Sequence, residues 1–424
     1  MFILSYFIQY NRYLNILGIA VILGIAILFC PKRSKINIRL IFNALLLQFG
    51  IAWLVLKTSL GQRGVAVIAQ AVSKMYEFAD QGAGFVFGNL SNAGMPWGFI
   101  FAIKVLPVII FFGAFTALLF HWGIIQRVVY GINCVIRPLL GTSGAETLCA
   151  TANSFLGQTE APLLVRNYLR DMTKSEMLVV MVSGMATISG SILVVFGAMG
   201  VPIQHMLASS VMAIPASIMI AKILLPETEK PATLEHVAIE KTKTSGNSLG
   251  AIATGTSDGL NLAVNVAAML IAFLALLALA NHLLSYAADL VNHLLCYVGI
   301  GDCLPKGLAI ETIFSYIFAP FGYLFGFTGH EAFDAGQLIG TKVAVNELIA
   351  YGHMVKMGLS ERATSIMTYA LCGFSNFSCI GIQIGGIGAL VPERREWLTQ
   401  LGLYAVLGGT LSNLLSAMVA SLLL

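Results

Sequence analysis

The chain has 424 residues, of which 58% are hydrophobic and only 10% are charged, and its mean hydropathy is +0.85. A soluble domain carries about 25% charged residues, so this composition excludes a water-soluble protein and predicts an integral membrane protein. The formal net charge of +4 does not indicate a nucleic-acid partner, because membrane proteins gather Lys and Arg in their cytoplasmic loops.

The first apolar segment covers 14–30 and is followed at once by Lys32, Arg33, Lys35 and Arg39. A signal peptide has its positive charge before the apolar stretch and small residues after it, which is the reverse of this order. The segment is therefore predicted to be a retained span whose N-terminus lies outside and whose basic end lies in the cytoplasm.

The next segments alternate between spans and pieces that are predicted to lie along the membrane interface. A second span covers 41–56, and a glycine-rich, weakly amphipathic connection covers 61–96. A span at 97–122 then leads to a basic amphipathic piece with Arg127 and Arg137, which is typical of an interfacial helix.

The rest of the chain contains two apolar stretches that are interrupted by polar residues and are too polar to face lipid. The predicted segments are, in order, an interrupted stretch at 145–168, two spans within 177–225, a hydrophilic linker at 226–248, a span at 260–286, a second interrupted pair at 308–327 and 336–351, a span at 364–390 and a last span at 401–424. The count of crossings places both termini outside.

The two interrupted stretches share one plan, in which Asn and Glu are followed by a turn and then by a span with a polar middle. The polar residues are Asn153, Glu160, Thr187, Ser189 and Ser191 in the first half, and Asn346, Glu347, Ser375, Asn376 and Ser378 in the second. Glu160 precedes Thr187 by 27 residues, and Glu347 precedes Asn376 by 29. Broken segments in opposite orientations are typical of secondary transporters with a substrate site near the midplane.

We therefore predict an all-α polytopic membrane protein with about eight transmembrane helices, two re-entrant hairpins in an inverted repeat, and interfacial helices. The predicted parts are an N-terminal scaffold at 1–96, a first repeat at 97–225 with its hairpin at about 142–168, a cytoplasmic linker and interfacial helix at 226–259, a second repeat at 260–390 with its hairpin at about 307–352, and a C-terminal span at 391–424.

Glu160 and Glu347 are candidate functional residues, because a carboxylate in the hydrocarbon region costs at least about 2.5 kcal/mol. They are predicted to bind a polar solute or to carry a proton. The structural alternatives are an ion pair with Lys104 and a cap on the backbone. His330 and Glu331 are predicted at the tip of the second hairpin, where a solvated or capping role is favoured over contact with solute.

The cysteines show no ligand spacing such as C-x-x-C, so no zinc or haem cofactor is predicted. Cys296 and Cys303, near a predicted loop, are the candidate pair for a disulfide. The unpaired state is favoured, because disulfides need an oxidising compartment.

Several strings of the sequence resemble the concentrative nucleoside transporters, in particular their short bacterial branch. They are the residues 157–163 (GQTEAPL) after Asn153, the VNE at 345–347, the CGFSNFS at 372–378 and the PETEKP at 226–231. The resemblance extends from the first span to the last. It implies a homotrimer of eight-span protomers in the bacterial inner membrane, importing nucleosides by sodium symport, with alternating access through movement of a hairpin-containing unit.

The resemblance also implies roles for individual residues. Those expected to contact the nucleoside are Gly157, Gln158, Thr159, Glu160, Ile192, Glu347, Phe374, Asn376 and Cys379, with the hydrogen-bonding groups of the first hairpin on the base and Glu347, Asn376 and Cys379 on the ribose. Those expected to surround sodium are Asn153, Leu156, Thr187 and Ile188. The family pattern has a serine at Cys379, and a thiol is a weaker donor and acceptor than a hydroxyl; Ser378 could replace it only if the helix rotates.

Three other functions compete with sodium-coupled nucleoside import. Some relatives couple to protons, in which case Glu160 or Glu347 would titrate and the substrate would be a nucleoside or a nucleobase. A membrane enzyme acting on a lipid-linked substrate would need an Asp-rich metal motif or a basic phosphate cluster, and neither is present. A channel would need rings of repeated pore residues.

One of the expected sodium ligands has an alternative role of its own. The hydroxyl of Thr187 could bond back to its own helix instead of binding sodium.

Overall fold

The computed structural model describes residues 6, 8–92, 96, 100–233, 246–297 and 307–424, and all regular elements within these ranges are helical. Cys303, the first residues of the predicted span at 97–122 and residues 234–245 of the predicted linker lie outside the described residues. The fold class that the sequence predicts, an all-α polytopic membrane protein, is confirmed.

The α-helices of the described ranges follow one another with short connections. In chain order they are α1 (Arg12–Leu28), α2 (Ile38–Lys57), α3 (Ser59–Phe87), α4 (Phe101–Lys104), α5 (Leu106–His121), α6 (Ile124–Leu140), α7 (Gly144–Asn153), α8 (Arg166–Leu169), α9 (Lys174–Ala186), α10 (Gly190–Ala198), α11 (Ile203–Leu224), α12 (Ser248–Tyr297), α13 (Ile310–Leu324), α14 (His330–Ala344), α15 (Glu347–Met354), α16 (Glu361–Leu371), α17 (Phe377–Leu390) and α18 (Arg395–Leu423).

Within the described ranges, seven segments are long and apolar enough to cross a membrane. They are Gln9–Leu28, Ile38–Lys57, Phe101–His121, Lys174–Ala198, Ile203–Leu224, Leu274–Tyr297 and Pro392–Leu423. Helices α16 and α17 form a further crossing that is interrupted at 372–376, just as Lys174–Ala198 is interrupted between α9 and α10.

The order of the helices is the same in the two halves of the chain. The first repeat consists of a span (α4 and α5), the amphipathic helix α6, a first hairpin (α7 and α8), a broken span (α9 and α10) and the span α11. The second repeat consists of the span α12, helix α13, a second hairpin (α14 and α15), a broken span (α16 and α17) and the span α18. Helices α5 and α12, which open the two repeats, pack against each other.

Two details differ from the sequence-based expectations. Helix α12 begins at Ser248, well before the expected start of that span at 260. The second hairpin turns at Val345, between α14 and α15, so His330 and Glu331 lie at the opposite end of α14, after the turn that follows α13. The Oε1 atom of Glu331 accepts a hydrogen bond from the backbone N–H of Ser360 at 3.2 Å, which is a capping role.

The buried core is formed by the broken span of the first repeat and by α11 and α18. The apolar windows of these three segments are 83%, 89% and 83% buried, whereas that of Leu274–Tyr297 in α12 is only 6% buried. Small residues such as Ser and Ala recur along α11 and α18, and they let helices approach closely where lipid offers no hydrophobic driving force. The core therefore lies around the hairpins, and the C-terminal half of α12 lies on the outside.

The helices α7 and α9 both begin with a capping box. Ser143 caps α7 together with Glu146, and Thr173 caps α9 together with Glu176. The two caps are joined, because the hydroxyl of Ser143 donates a hydrogen bond to Oε1 of Glu176. The first arm of the hairpin and the first half of the broken span are thus fixed to each other at their N-terminal ends.

A buried lysine at the end of α11 extends this polar network. The Nζ atom of Lys222 lies 2.8 Å from Oε2 of Glu146 and 3.0 Å from Oε2 of Glu227, and it donates to the hydroxyl of Ser175 at 3.1 Å. The segment after α11 then returns to the first hairpin, where the carbonyl oxygen of Thr233 accepts from the N–H of Gly144 at 2.9 Å. Helices α7, α9 and α11 are therefore held together as one unit.

Replacement of Lys222 by methionine is expected to destabilise the fold strongly, because it leaves Glu146 buried without its positive partner. Breaking a buried ion pair by removing one partner costs about 3–5 kcal/mol. The unfolding temperature of the purified protein measures the effect. The control is Lys230→Met, since Lys230 lies in the following segment but is exposed; equal unfolding temperatures for the two variants would contradict the role assigned to Lys222.

Candidate functional site

The two broken spans cross each other at their interruptions. The backbone N–H of Phe374 donates to the carbonyl oxygen of Thr187 at 3.3 Å, so one break contacts the other directly. The side-chain amide of Asn413, on α18, donates to the carbonyl oxygens of Ala186 at 2.7 Å and of Cys372 at 2.8 Å. Asn413 thereby satisfies a carbonyl beside each break, which lipid could not do.

This crossing leaves no space for a side chain at Gly373. A Cβ atom at that position would lie 2.7 Å from the carbonyl oxygen of Met185, and it would come closer still to Oδ1 of Asn413. Glycine is required here because the backbones of the two broken spans approach each other so closely.

The tips of the two hairpins meet the breaks. The backbone N–H of Gly190, at the start of α10, donates to the carbonyl oxygen of Phe155 in the first tip at 3.1 Å. In the second hairpin, Oδ1 of Asn346 caps α15 by accepting from the N–H of Ile349 at 3.0 Å. The first tip therefore contacts the start of α10, and α15 begins at the second tip.

A cavity of about 220 Å³ lies between the hairpin tips and the breaks. All nine residues that the sequence predicts to contact substrate line it: Gly157, Gln158, Thr159, Glu160, Ile192, Glu347, Phe374, Asn376 and Cys379. Ile109 on α5 and Leu262 and Asn265 on α12 also line it. The structure thus brings together residues that are up to about half the chain apart, and their binding role stays a prediction.

One side of the cavity is built on the N-terminal ends of α15 and α17. The side-chain amide of Asn376 donates to Oε2 of Glu347 at 3.1 Å, while its Oδ1 caps α17 by accepting from the N–H of Cys379 at 3.0 Å. The hydroxyl of Ser378 also donates to that Oδ1, at 2.6 Å. Helix N-termini carry a partial positive charge, so this side stabilises the buried carboxylate of Glu347.

Both Ser378 and Cys379 line the cavity. The sequence-based expectation was that the hydroxyl of Ser378 could take over from the thiol only after a rotation of the helix. In the structure, Ser378 lines the cavity and its hydroxyl donates to Oδ1 of Asn376 at 2.6 Å, so its replacement of the thiol stays a prediction.

The opposite side of the cavity is formed by the first hairpin tip. The side-chain amide of Gln383, on α17, donates to Oε1 of Gln158 at 3.1 Å and to the carbonyl oxygen of Met181 at 2.9 Å. The carboxylate of Glu160 accepts from the N–H of Gly157 at 3.0 Å, and this side chain is otherwise exposed to the cavity. The backbone-capping alternative for Glu160 is therefore present together with an accessible carboxylate.

The ion-pair alternative for the two glutamates is wrong. The Nζ atom of Lys104 lies 2.6 Å from Oδ1 of Asp80 on α3. The lysine in the span before the first hairpin is thus neutralised by an outer helix, which leaves Glu160 and Glu347 to the cavity.

The four residues expected to surround sodium lie where the first hairpin meets the break of the first repeat. The side-chain amide of Asn153 donates to the hydroxyl of Ser183 at 2.9 Å, and its Oδ1 is buried without a hydrogen-bond partner among the described residues. Among the described residues, no group donates a hydrogen bond to the carbonyl oxygen of Leu156 or to that of Ile188. Oxygen atoms of this kind are the ligands that a hard cation prefers.

Thr187 behaves differently from the other three. Its hydroxyl donates to the carbonyl oxygen of Ser183 at 2.8 Å, as in the alternative in which the side chain bonds back to its own helix. The oxygen of that hydroxyl retains lone pairs, so it can still coordinate a cation while its proton is donated to Ser183.

Three residues of this region were not found from the sequence. Gln383 supports Gln158, Asn413 joins the two breaks, and Lys342 is buried in the second hairpin. Each of them is a polar side chain in a helix of apolar or small residues, and this pattern could have identified them. Burying a polar side chain costs free energy unless it has a hydrogen-bond partner.

The fold and the site together define a multi-pass membrane transporter that is built on an inverted repeat around a central cavity. Models for the N-terminal and C-terminal parts of Na+ dependent nucleoside transporters match residues 17–90 and 205–421, and a nucleoside recognition (gate) model matches 102–202. The chain belongs to the concentrative nucleoside transporter family, and it is a transporter rather than an enzyme.

Its relatives match over nearly the full length. An uncharacterized transporter of Haemophilus influenzae is 43% identical over 96% of this chain and 97% of its own. The nucleoside permease NupC of Helicobacter pylori is 36% identical over 97% and 98%. The solved structure of CNTnw in an inward-facing, substrate-bound state has 37% identity and a TM-score of 0.88 over 97% of each chain.

Replacement of Gln383 by leucine is expected to weaken substrate binding by about fivefold with little loss of folded protein. The change removes the hydrogen bond that orients Gln158, and one such bond contributes about 1 kcal/mol. The measurement is the KM for nucleoside uptake. The matched control is Gln204→Leu, because Gln204 is exposed and lines a different cavity; a KM that is unchanged in Gln383→Leu would show that Gln158 needs no support.

Proposed function

We propose that this protein imports nucleosides by sodium symport and that it does so by alternating access. The observation that carries the proposal is the convergence of nine predicted contact residues in one cavity between both hairpin tips and both helix breaks. Family membership supports it as well, since the matching models describe Na+ dependent nucleoside transporters.

The two sides of the cavity suit the two parts of a nucleoside. The amide of Gln158 and the hydroxyl of Thr159 can pair with the donors and acceptors at the edge of a base, and Ile192 and Phe374 offer apolar surface to its ring. On the other side, Glu347 and Asn376 can accept from and donate to the vicinal hydroxyls of a ribose. We assign the first side to the base and the second to the sugar.

Sodium is proposed as the coupling ion at Asn153, Leu156, Thr187 and Ile188. Within the described ranges, Oδ1 of Asn153 and the carbonyl oxygens of Leu156 and Ile188 accept no hydrogen bond, which supports this assignment. The site adjoins the cavity, because Gly157 and Ser189, which follow Leu156 and Ile188 in the chain, both line it. A bound cation would therefore fix the first hairpin against the break and so favour the shape that accepts the substrate.

The proposed assembly is a homotrimer in the bacterial inner membrane with both termini outside. The residues at 1–96 precede the two proposed repeats, at 97–225 and 260–390, and the linker at 226–259 joins them. The C-terminal span at 391–424, which contains α18, completes the second repeat. The moving unit would contain the hairpins and the broken spans, which are held to one another as described above. The low burial of α12 leaves an outer surface for lipid or for another copy.

Uptake of radiolabelled uridine into proteoliposomes, with and without an inward sodium gradient, tests the proposal. We expect accumulation that requires sodium. Uptake that depends on pH in sodium-free buffer would instead favour the proton-coupled alternative, in which Glu160, exposed to the cavity, is accessible to protons. Absence of uptake for every nucleoside tested would overturn the transport function itself.

Replacement of Glu347 by glutamine is expected to reduce uridine binding by roughly ten- to a hundredfold. The amide keeps the shape but loses the charge and one acceptor, and hydrogen bonds to charged groups contribute about 1.5–3 kcal/mol. Equilibrium binding of uridine to the purified protein measures the loss. Glu393→Gln serves as the control, because Glu393 is exposed at the start of the last span; normal binding by Glu347→Gln would refute the ribose assignment.

Replacement of Asn153 by alanine is expected to raise the sodium concentration that gives half-maximal uptake by about tenfold, since it removes one oxygen ligand. The KM for uridine at saturating sodium changes less. Asn133→Ala is the matched control, because Asn133 is also a buried asparagine with an unpaired Oδ1 among the described residues, but it lies on α6. An equal change in both variants would argue against a cation at Asn153.

A further inference from the structure

A lysine is buried at the end of α14, close to the second hairpin tip. Lys342 is only 1% exposed. Its Nζ atom donates to the carbonyl oxygen of Ala370 at 3.0 Å and to Oδ1 of Asn413 at 2.7 Å. A buried charge is costly unless it is paired and hydrogen-bonded, and the proposed function gives this residue no task.

The place of Lys342 in the second repeat corresponds to that of Asn153 in the first. Asn153 is the last residue of α7, and it contacts Ser183 in the last turn of α9. Lys342 lies in the last turn of α14, and it contacts Ala370 in the last turn of α16. In both repeats, the end of the first hairpin arm thus approaches the C-terminal end of a half-helix.

The two positions differ in what fills them. In the first repeat, Oδ1 of Asn153 has no hydrogen-bond partner among the residues that the structure describes. In the second repeat, the ammonium group supplies the donors itself, and both of its partners are acceptors. The C-terminal ends of half-helices carry partial negative charge, so each position favours a cation, and in the second repeat the cation is attached to the chain.

The bond to Asn413 extends the effect of this ammonium to the crossing. Asn413 accepts from Lys342 through Oδ1 and donates through its amide to the carbonyl oxygens of Ala186 and Cys372. One chain of hydrogen bonds therefore runs from the ammonium to residues beside both breaks. Polar chains of this kind strengthen one another in a buried environment.

We propose that the ammonium of Lys342 acts as a tethered cation, occupying the second-repeat counterpart of the sodium position, so that the transporter has a single exchangeable cation site. The statement about the exchangeable site rests on the proposed sodium coupling. The statement about the tethered cation rests on the contacts of Lys342 alone. The two parts can therefore be tested separately.

The test of the tethered cation is chemical rescue. Lys342→Ala removes three methylene groups and the ammonium group, which together correspond to an n-propylammonium ion. Lys342→Met removes the charge but keeps the space filled. The unfolding temperature of the purified full-length protein is measured in choline chloride, then with n-propylammonium chloride in place of choline, and separately with an equal concentration of n-propanol, which has a similar shape without the charge.

We expect both variants to lose roughly 5 °C or more relative to the unmodified protein. In Lys342→Ala, n-propylammonium restores at least half of this loss and n-propanol does not, because binding to the folded state raises its stability. In Lys342→Met neither compound restores it. Equal effects of n-propylammonium and n-propanol on Lys342→Ala, or no loss of stability in that variant, would overturn the proposal.

The unmodified protein provides a second measurement that needs no variant, and this measurement decides the part of the proposal that concerns the single exchangeable site. Sodium activation of uridine uptake is expected to follow a hyperbola, with a Hill coefficient of about one, and a coefficient near two would overturn the single exchangeable site. If sodium does not stimulate uptake at all, the proposed coupling fails, while the comparison of n-propylammonium with n-propanol still decides the role of Lys342.

Discussion

The structure depends on one constraint, which is that a helix broken inside a membrane frees backbone groups that lipid cannot satisfy. Here the two broken spans are hydrogen-bonded to each other at their breaks. Phe374 donates across to Thr187, and Asn413 binds the carbonyls of Ala186 and Cys372 from a third helix. The contacts that make the breaks tolerable also bring the two repeats together, and the cavity lies where they meet. Stability of the fold and existence of the site therefore have the same origin.

The polar groups of the protein fall into two sets with different tasks. Around Lys222, ion pairs and capping boxes join the N-terminal ends of α7 and α9 to the end of α11, away from the cavity. Around the breaks, Asn413 and Gln383 satisfy backbone carbonyls, while Gln158 and Asn376 line the cavity. The first set ties helices into a unit that can move as a body, and the second leaves a few polar groups, including the carboxylate of Glu160, open to a solute.

Much of this arrangement was predictable from the sequence, and the exceptions have a common physical cause. Composition predicted the membrane, and polar residues within apolar stretches located the hairpins and breaks around Glu160 and Glu347. The partners of buried polar groups were not predictable, because the direction in which a helix turns its side chains depends on packing. Lys104 pairs with Asp80, and Gln383 with Gln158, across pairs of helices whose contact the sequence does not reveal. The turn of the second hairpin lies at Val345, whereas the sequence predicted it at His330 and Glu331. The reason is similar, because α13 has an apolar pattern much like that of a hairpin arm.

Asn346 and Asn376 each cap a helix with the same side chain that lines the cavity. A cap contributes about 1 kcal/mol to stability, so a substitution at either position changes the stability of the fold and the wall of the cavity together. Ile192 and Thr159, on the other side, line the cavity without capping a helix. Natural variation in substrate preference is therefore expected to accumulate on the side of Ile192 and Thr159, while the side built on helix ends stays constrained across relatives that bind different nucleosides.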